Sequence, residues 1–309
     1  MKRFFCLSLC VLLLSSCAPN KKYEKTVFSM DTQIVMTAYG DGAEEALNKA
    51  YDEIKRIDDK FKVSNAQNTV IENDEETKKL LAVANEITKE TDGAFDIRVA
   101  PVMRAWGFYS EEFTQKKYKV PTKKELTEAL EKMKEGNNLD FGAIAKGYCA
   151  DRIVKILKEN AVESAVLSLG GNVAVIGKNT NGKPFKVGIQ NPFDSGIYAT
   201  VEIFDKSVVT SGDYVRNFEV DGKKYHHIID TKTGYPVDND LTSVTIICDN
   251  ATRADALSTA LFAMGKEKAI EFWKKDKSFS LILIQKSGKI LYTEDLEFET
   301  IYDKEIINE

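Results

Sequence analysis

Nowhere in this 309-residue chain are basic residues gathered into a block, and 43 Lys and Arg stand against 48 Asp and Glu, a formal net charge of −5. A footprint for a phosphate backbone is therefore missing, which argues against nucleic acid as a partner. Histidine is scarcer still, with only His226 and His227, side by side. A helical zinc pair needs both rings on one face, whereas neighbours on a strand point to opposite faces, so this pattern argues against zinc. No Cys-x-x-Cys pair occurs, no glycine loop ends in the GKS or GKT of a P-loop, and no full GxGxxG dinucleotide pattern is present. Internal repeats and long disordered linkers are absent too. The 43% of apolar residues are enough to bury a sizeable core in one large domain or two closely packed ones.

The one long apolar run, Phe4 to Leu14, is too short for a membrane-spanning helix. Lys2 and Arg3 precede it and Ser15-Ser16 follow, just before Cys17. A positive start, a short apolar region and small residues form the order of an export signal. LSSC resembles a lipoprotein signal, in which Cys17 becomes the lipidated first residue; a buried internal strand is the competing reading. The expected division is a signal peptide over 1–16, lipid anchor and tether over 17–26, a folded domain over 27–293 and an acidic, solvated tail over 294–309. Export leaves Cys149 and Cys248 in the folded body, either as separate buried thiols or as a disulfide, which their spacing does not decide.

Hydrophobic periodicity predicts helices over 43–61 and 75–89, a third within 119–136 opened by a Thr122/Glu125 capping box, a fourth running on from residue 144, and a fifth over 253–264. Strands are expected over 27–39, 164–169, 173–176, 185–189, 198–204, 241–248, 280–285 and 289–292. Asp221-Gly222 joins 215–220 to 224–229 as a hairpin. The order implies an α+β fold, a single compact domain with extensive antiparallel or mixed sheet and packed helices, rather than a regularly alternating nucleotide-binding fold.

Six stretches carry groups with chemical potential. LDFGAIAKGYCAD (139–151) offers glycines for close approach, Lys146 for phosphate charge and Asp140 as a polar contact, or else an ordinary helix entrance. SLGGNVAVIG (168–177) and TSGDY (210–214) are either ligand-facing turns or local ones. HHIIDTKTG (226–234) forms a polar substrate wall or a structural hydrogen-bonding segment. In ADALSTALFAMG (254–265), Asp255 and Thr259 lie four residues apart on one helical face, where hard oxygens suit Mg²⁺, unless the helix only satisfies its own polar groups. GAFDIRVAPVMRAWGF (93–108) supplies aromatics for a planar ring or for the core.

Taken together and in order, MDT (30–32), GAFDIRVAPVMRAWGF, LDFGAIAKGYCAD, SLGGNVAVIG, TSGDY, HHIIDTKTGYP and ADALSTALFAMG resemble the bacterial flavin transferase family called ApbE, from about Met30 to Tyr292. The resemblance implies binding of FAD and Mg²⁺, cleavage of the FAD diphosphate with release of AMP, and transfer of FMN to a Thr or Ser hydroxyl of a partner protein. It implies metal ligation by the Ala143 carbonyl, the Asp255 carboxylate and an oxygen of Thr259, with Asp255 and Lys146 as the catalytic pair. Flavin-nucleotide contacts are implied for Met30, Ala94, Phe95, Asp96, Asp140 and Lys146, and less securely for Gly171 and His227. Within 58–70 the chain departs from the family: Ser64-Asn65 stand where many members have a tyrosine, and Ser64 becomes the polar contact there. A polar group in place of an aromatic cover admits water, so FAD hydrolysis to FMN and AMP is kept as an alternative. A non-enzymatic flavin-binding lipoprotein is the third reading. All three face the periplasm or cell exterior from a lipid anchor.

Overall fold

A computed structural model describes residues 21–62, 74–109, 118–136 and 138–308. Its backbone is a nine-stranded sheet: β1 (Lys22–Ser29), β2 (Thr32–Tyr39), β3 (Ser164–Leu169), β4 (Asn172–Ile176), β7 (Ser207–Gly212), β10 (Leu241–Cys248), β11 (Ser280–Gln285), β12 (Ile290–Thr293) and β14 (Lys304–Ile307), in that spatial order. Only the β12–β14 pair is parallel; the others in this sheet run antiparallel. A second sheet holds β5 (Phe185–Gln190), β6 (Ile197–Ile203) and β13 (Phe298–Glu299), and β8 (Asn217–Val220) pairs with β9 (Lys223–His226) as a hairpin. The α+β class is as the sequence implies.

One face of the large sheet is covered by helices α1 (Ala43–Phe61), α2 (Glu75–Glu90), α5 (Ala145–Glu159), α6 (Ala251–Met264) and α7 (Lys266–Lys275). The other face packs on the β5–β6 layer. Covering on both sides explains why β10 is buried at every position, since a strand between two layers has no water-facing side to keep polar. Its neighbour β11 shows the split: Leu281 and Leu283 enter the helix-side core, Ile282 and Ile284 the opposite one. A third, separate cluster joins α3 (Ala100–Trp106), α4 (Lys123–Glu135) and the β8–β9 hairpin around Trp106, Phe108 and Phe218.

Local signals account for much of this. The α1 stripe Leu47, Ile54, Ile57 and Phe61 is buried, and α4 begins on the expected capping box and ends at Gly136 with φ 77°. Four expectations are corrected. The single strand over 27–39 is a hairpin, broken where Met30 and Asp31 take φ 53° and 58°, a left-handed pair that twists the two strands correctly. Strand β1 starts at Lys22, inside the segment expected to be tether. The tail is not a free solvated edge, because β13 pairs with β6 and β14 with β12, burying Ile307. The second hairpin strand stops at His226 rather than 229, where the His226 ring bonds to Val237 O at 2.8 Å and to Ile228 N–H. Cys149 and Cys248 are free, buried thiols. Among the described residues no helix is long and apolar enough to cross a membrane.

Candidate functional site

A cleft of about 1230 Å³ opens between the β1–β2 turn, the head of α5, the middle of α6 and the aromatic lobe. Met30 lines it from the β1–β2 turn, Ala94, Phe95 and Asp96 from the turn after α2, and Asp140, Ala143 and Lys146 from the entrance to α5. Gly171 lies on the β3–β4 turn, His227 just beyond β9, and Asp255 and Thr259 on α6, all lining the same cleft. Residues from 30 to 259 of the sequence thus meet around one space. Ser64 and Cys17 lie outside the described residues.

The crossing of α5 and α6 builds the charged end. The Gly147 N–H, an orphan donor in the first turn of α5, donates to Asp255 Oδ2 at 2.9 Å. In return, Asp151 of α5 accepts from the first turn of α6, from Ala251 N at 2.9 Å, Thr252 N at 2.8 Å and the Thr252 hydroxyl at 2.5 Å. Each helix start is therefore capped by a carboxylate of the other, where the helix dipole favours negative charge. Only glycine permits the approach: a Cβ on Gly147 would stand 2.1 Å from Ala251 O and 2.8 Å from Asp255 Cβ.

Asp255 is 3% exposed. With Oδ2 fastened to Gly147, its Oδ1 has the Lys146 ammonium at 3.8 Å, and that ammonium also donates to Gly142 O at 3.3 Å. Next to it, the Thr259 hydroxyl lies 3.1 Å from Ser211 Oγ, which in turn lies 2.8 Å from Ser258 Oγ. Among the described residues no three His, Cys, Asp or Glu side chains converge as a metal cluster. What this end of the cleft offers is the buried Asp255 carboxylate and the Thr259 hydroxyl, with the loop residue Ala143 in the same lining, a set of hard oxygens. That donor chemistry fits Mg²⁺ and not zinc.

Elsewhere in the lining, hydrogen bonds hold the carboxylates of Asp140 and Asp96. Asp140 Oδ1 accepts from Gly142 N at 2.7 Å and Oδ2 from the Tyr109 hydroxyl. Burial, reinforced by Asp140, raises the Tyr109 phenol well above its usual range, so it stays a donor. Asp96 accepts from Arg98 N at 2.9 Å and from its guanidinium at 2.5 and 2.8 Å, leaving it a wall more than a free acceptor. Burial, then the nearby Arg216 cation, lowers His227 to a pKa of about 3. The ring is neutral at physiological pH. Its Nδ1 sits 3.2 Å from Arg216 O; a carbonyl only accepts, so Nδ1 carries the proton and Nε2 is the acceptor. His226 is committed to Val237 O.

Tyr109 and Arg216 lie outside the residues that the motifs single out, and Gly147 stands there only as one of two glycines suited to close approach. Tyr109 directly follows the aromatic segment, and Gly147 lies inside the central motif, but their partners are 31 and 108 residues away. Arg216, whose guanidinium meets Asp31 at 3.2 Å across the cleft mouth, carries no local signal.

Comparison with known proteins places this geometry. The family model described as ApbE family matches residues 30–283. A protein of Haemophilus influenzae named FAD:protein FMN transferase is 33% identical over 248 residues, covering 73% of this chain and 71% of that protein. One of Klebsiella pneumoniae with the same name is 31% identical over 299 residues, covering 88% and 92%. The crystal structure of an ApbE protein from Thermotoga maritima superposes with a TM-score of 0.78 at 32% identity, covering 89% of this chain and 97% of that one. A match over most of the chain, with its motifs converging on one cleft, leads to one conclusion: the chain belongs to the ApbE family.

Proposed function

We propose that this chain is an FAD:protein FMN transferase, an enzyme that moves FMN from FAD to a Thr or Ser hydroxyl of a partner protein and releases AMP. The observation that carries the reading is the convergence of Met30, Asp140, Lys146, His227, Asp255 and Thr259 on a single cleft. At about 1230 Å³, it exceeds the roughly 300–1,000 Å³ usual for small ligands and suits an extended dinucleotide. Relatives bearing that enzyme name support it.

In this reading the Ala143 carbonyl, Asp255 and Thr259 would hold Mg²⁺. The ion, when bound, supplies Lewis-acid neutralisation of the diphosphate charge. Lys146 adds positive charge beside Asp255 and steadies the oxygens on which charge grows. The acceptor oxygen forms a bond to the FMN phosphorus while the bond to the AMP oxygen breaks, and the hydroxyl proton is released. Phe95 and the lobe carrying Met103 and Phe108 give an apolar wall for the planar ring. Neutral His227 presents an acceptor.

The test is incubation of the domain from residue 18 onwards with FAD, Mg²⁺ and a candidate acceptor protein. Covalent FMN on an acceptor Thr or Ser, with stoichiometric AMP, is expected. AMP and free FMN without modified protein would instead establish the hydrolase, and flavin binding without either product would establish a binding protein. We further propose that Cys17 carries the lipid anchor and that the domain faces the periplasm or cell exterior. With β1 beginning at Lys22, little chain separates that anchor from the sheet. Loss of membrane fractionation in Cys17→Ser checks this.

A further inference from the structure

We infer that Ser211 and Ser258 fix the direction of a hydroxyl chain that turns both lone pairs of Thr259 toward the cleft. Resting on the cation site proposed above, this assigns Ser211 and Ser258 as positioning residues. Four oxygens lie in sequence: the Asp255 carbonyl, Ser258 Oγ at 2.9 Å from it, Ser211 Oγ at 2.8 Å from Ser258, and Thr259 Oγ1 at 3.1 Å from Ser211. Geometry leaves the donor ambiguous in each hydroxyl pair, but the first link is not ambiguous, because a carbonyl only accepts.

Each hydroxyl has one proton. Ser258 places its proton on the Asp255 carbonyl and can therefore only accept from Ser211. Having given its proton to Ser258, Ser211 can only accept from Thr259. The Thr259 proton is thus committed to Ser211, a neighbour in the same cleft lining, and not to a ligand held by Thr259 and Asp255. Both Thr259 lone pairs are left for a ligand, and no hydroxyl hydrogen opposes an incoming cation. Burial secures the start of the chain, since Ser258 is fully buried and Asp255 nearly so, with little water there to offer other partners, while Ser211 and Thr259 are half-buried at the cleft. The carbonyl that starts the chain belongs to the same residue whose carboxylate faces Lys146. Three positions of α6 (255, 258 and 259) are tied together through one residue of β7.

The test is Mn²⁺ binding to the domain, followed by electron paramagnetic resonance without turnover, in the unaltered chain and in Asp255→Asn, Ser211→Ala, Ser211→Thr, Ser258→Ala and the double variant Ser211→Ala/Ser258→Ala. Ser211→Ala should weaken binding about tenfold and Ser211→Thr should recover most of it, because Thr restores the hydroxyl. Ser258→Ala, although it lies away from the cleft, should weaken binding by a few fold. The double variant should be no weaker than Ser211→Ala alone, since Ser258 acts only through Ser211. Unchanged binding in Ser211→Ala, or additive losses in the double variant, while Asp255→Asn still loses the ion, overturns the hydroxyl chain and leaves the cation site standing. Equal binding by Asp255→Asn and the unaltered chain removes the cation site and the hydroxyl chain with it.

Discussion

Gly147→Ala adds one methyl group where α5 crosses α6. In the native packing that carbon would lie 2.1 Å from Ala251 O, 2.7 Å from Ala251 C and 2.8 Å from Asp255 Cβ. Two of the three are backbone atoms with no rotamer to give way, so the helices must separate. Overpacking of this kind costs about 1–3 kcal/mol. Separation also lengthens the Gly147 N–H to Asp255 bond of 2.9 Å, a charge-assisted contact of about 1.5–3 kcal/mol. Alanine returns about 1 kcal/mol of helix propensity. The net loss is about 2–5 kcal/mol, or roughly 10 °C of melting temperature for a domain of this size. Urea unfolding and Mn²⁺ binding of the folded protein should both suffer, because the strained contact is also the support of Asp255. A variant as stable as the parent, with its ion affinity unchanged, would refute the claim that the crossing sets the site.

Asp255→Ala should abolish Mg²⁺-dependent FMN transfer and lower stability by about 1–3 kcal/mol through the buried Gly147 N–H it orphans; full activity at limiting Mg²⁺ contradicts ligation by Asp255. The folded pKa of His227 lies near 3, below its ordinary value of 6.5, so its contribution to stability is complete above about pH 6.5 and declines as pH falls toward 3. From pH 6.5 to 4.5 the loss should be on the order of 2 kcal/mol, and His227→Gln should flatten that slope in urea titrations, leaving a remainder from His226, which burial also lowers; an unchanged slope counts against a neutral His227. Burial pushes Cys149 to about 12 and Cys248 to about 11, so neither should react with a thiol reagent at pH 8 until urea unfolds the chain. Prompt labelling in native buffer would contradict that.

Elements with a local signature were legible. Helix α1 runs Ala43–Phe61 as its stripe implies, α4 begins on its capping box, and β3, β10 and β11 match their expected limits. Elements held by distant partners were not. The two residues of β13 and four of β14 gain their structure from β6 and β12, and nothing within an acidic tail announces such pairing. Helix α7 follows α6 after the single residue Gly265; the expected helix ends at that glycine, and no element was expected over 266–275. The β1–β2 turn is written as Met30-Asp31, not with the glycine usually found at left-handed positions, and so two strands read as one. Spacing put Asp255 and Thr259 on one face, but by itself it favoured a helix that satisfies its own polar groups. The ordered motifs raised the site reading, and their joint placement could come only from the fold.

Why one carboxylate at the α5–α6 crossing serves structure and the other is available for chemistry follows from how their oxygens are used. Asp151 has both oxygens occupied, one by Ala251 N and the other by the Thr252 N–H and hydroxyl. Burial raises its pKa and those bonds oppose the rise, as for a group whose role is to hold α6 in place. Asp255 is the more deeply buried of the two, yet among the described residues only Oδ2 has a close donor, while Oδ1 has an ammonium at 3.8 Å, beyond hydrogen-bonding distance. A buried carboxylate with an under-served oxygen has the most to gain from a cation, because the low-dielectric surroundings that penalise it strengthen each charge contact it makes. Gly147 is what allows both arrangements at once: without a side chain there, α5 comes close enough to lend Asp255 a donor on one oxygen while its own Asp151 closes the start of α6.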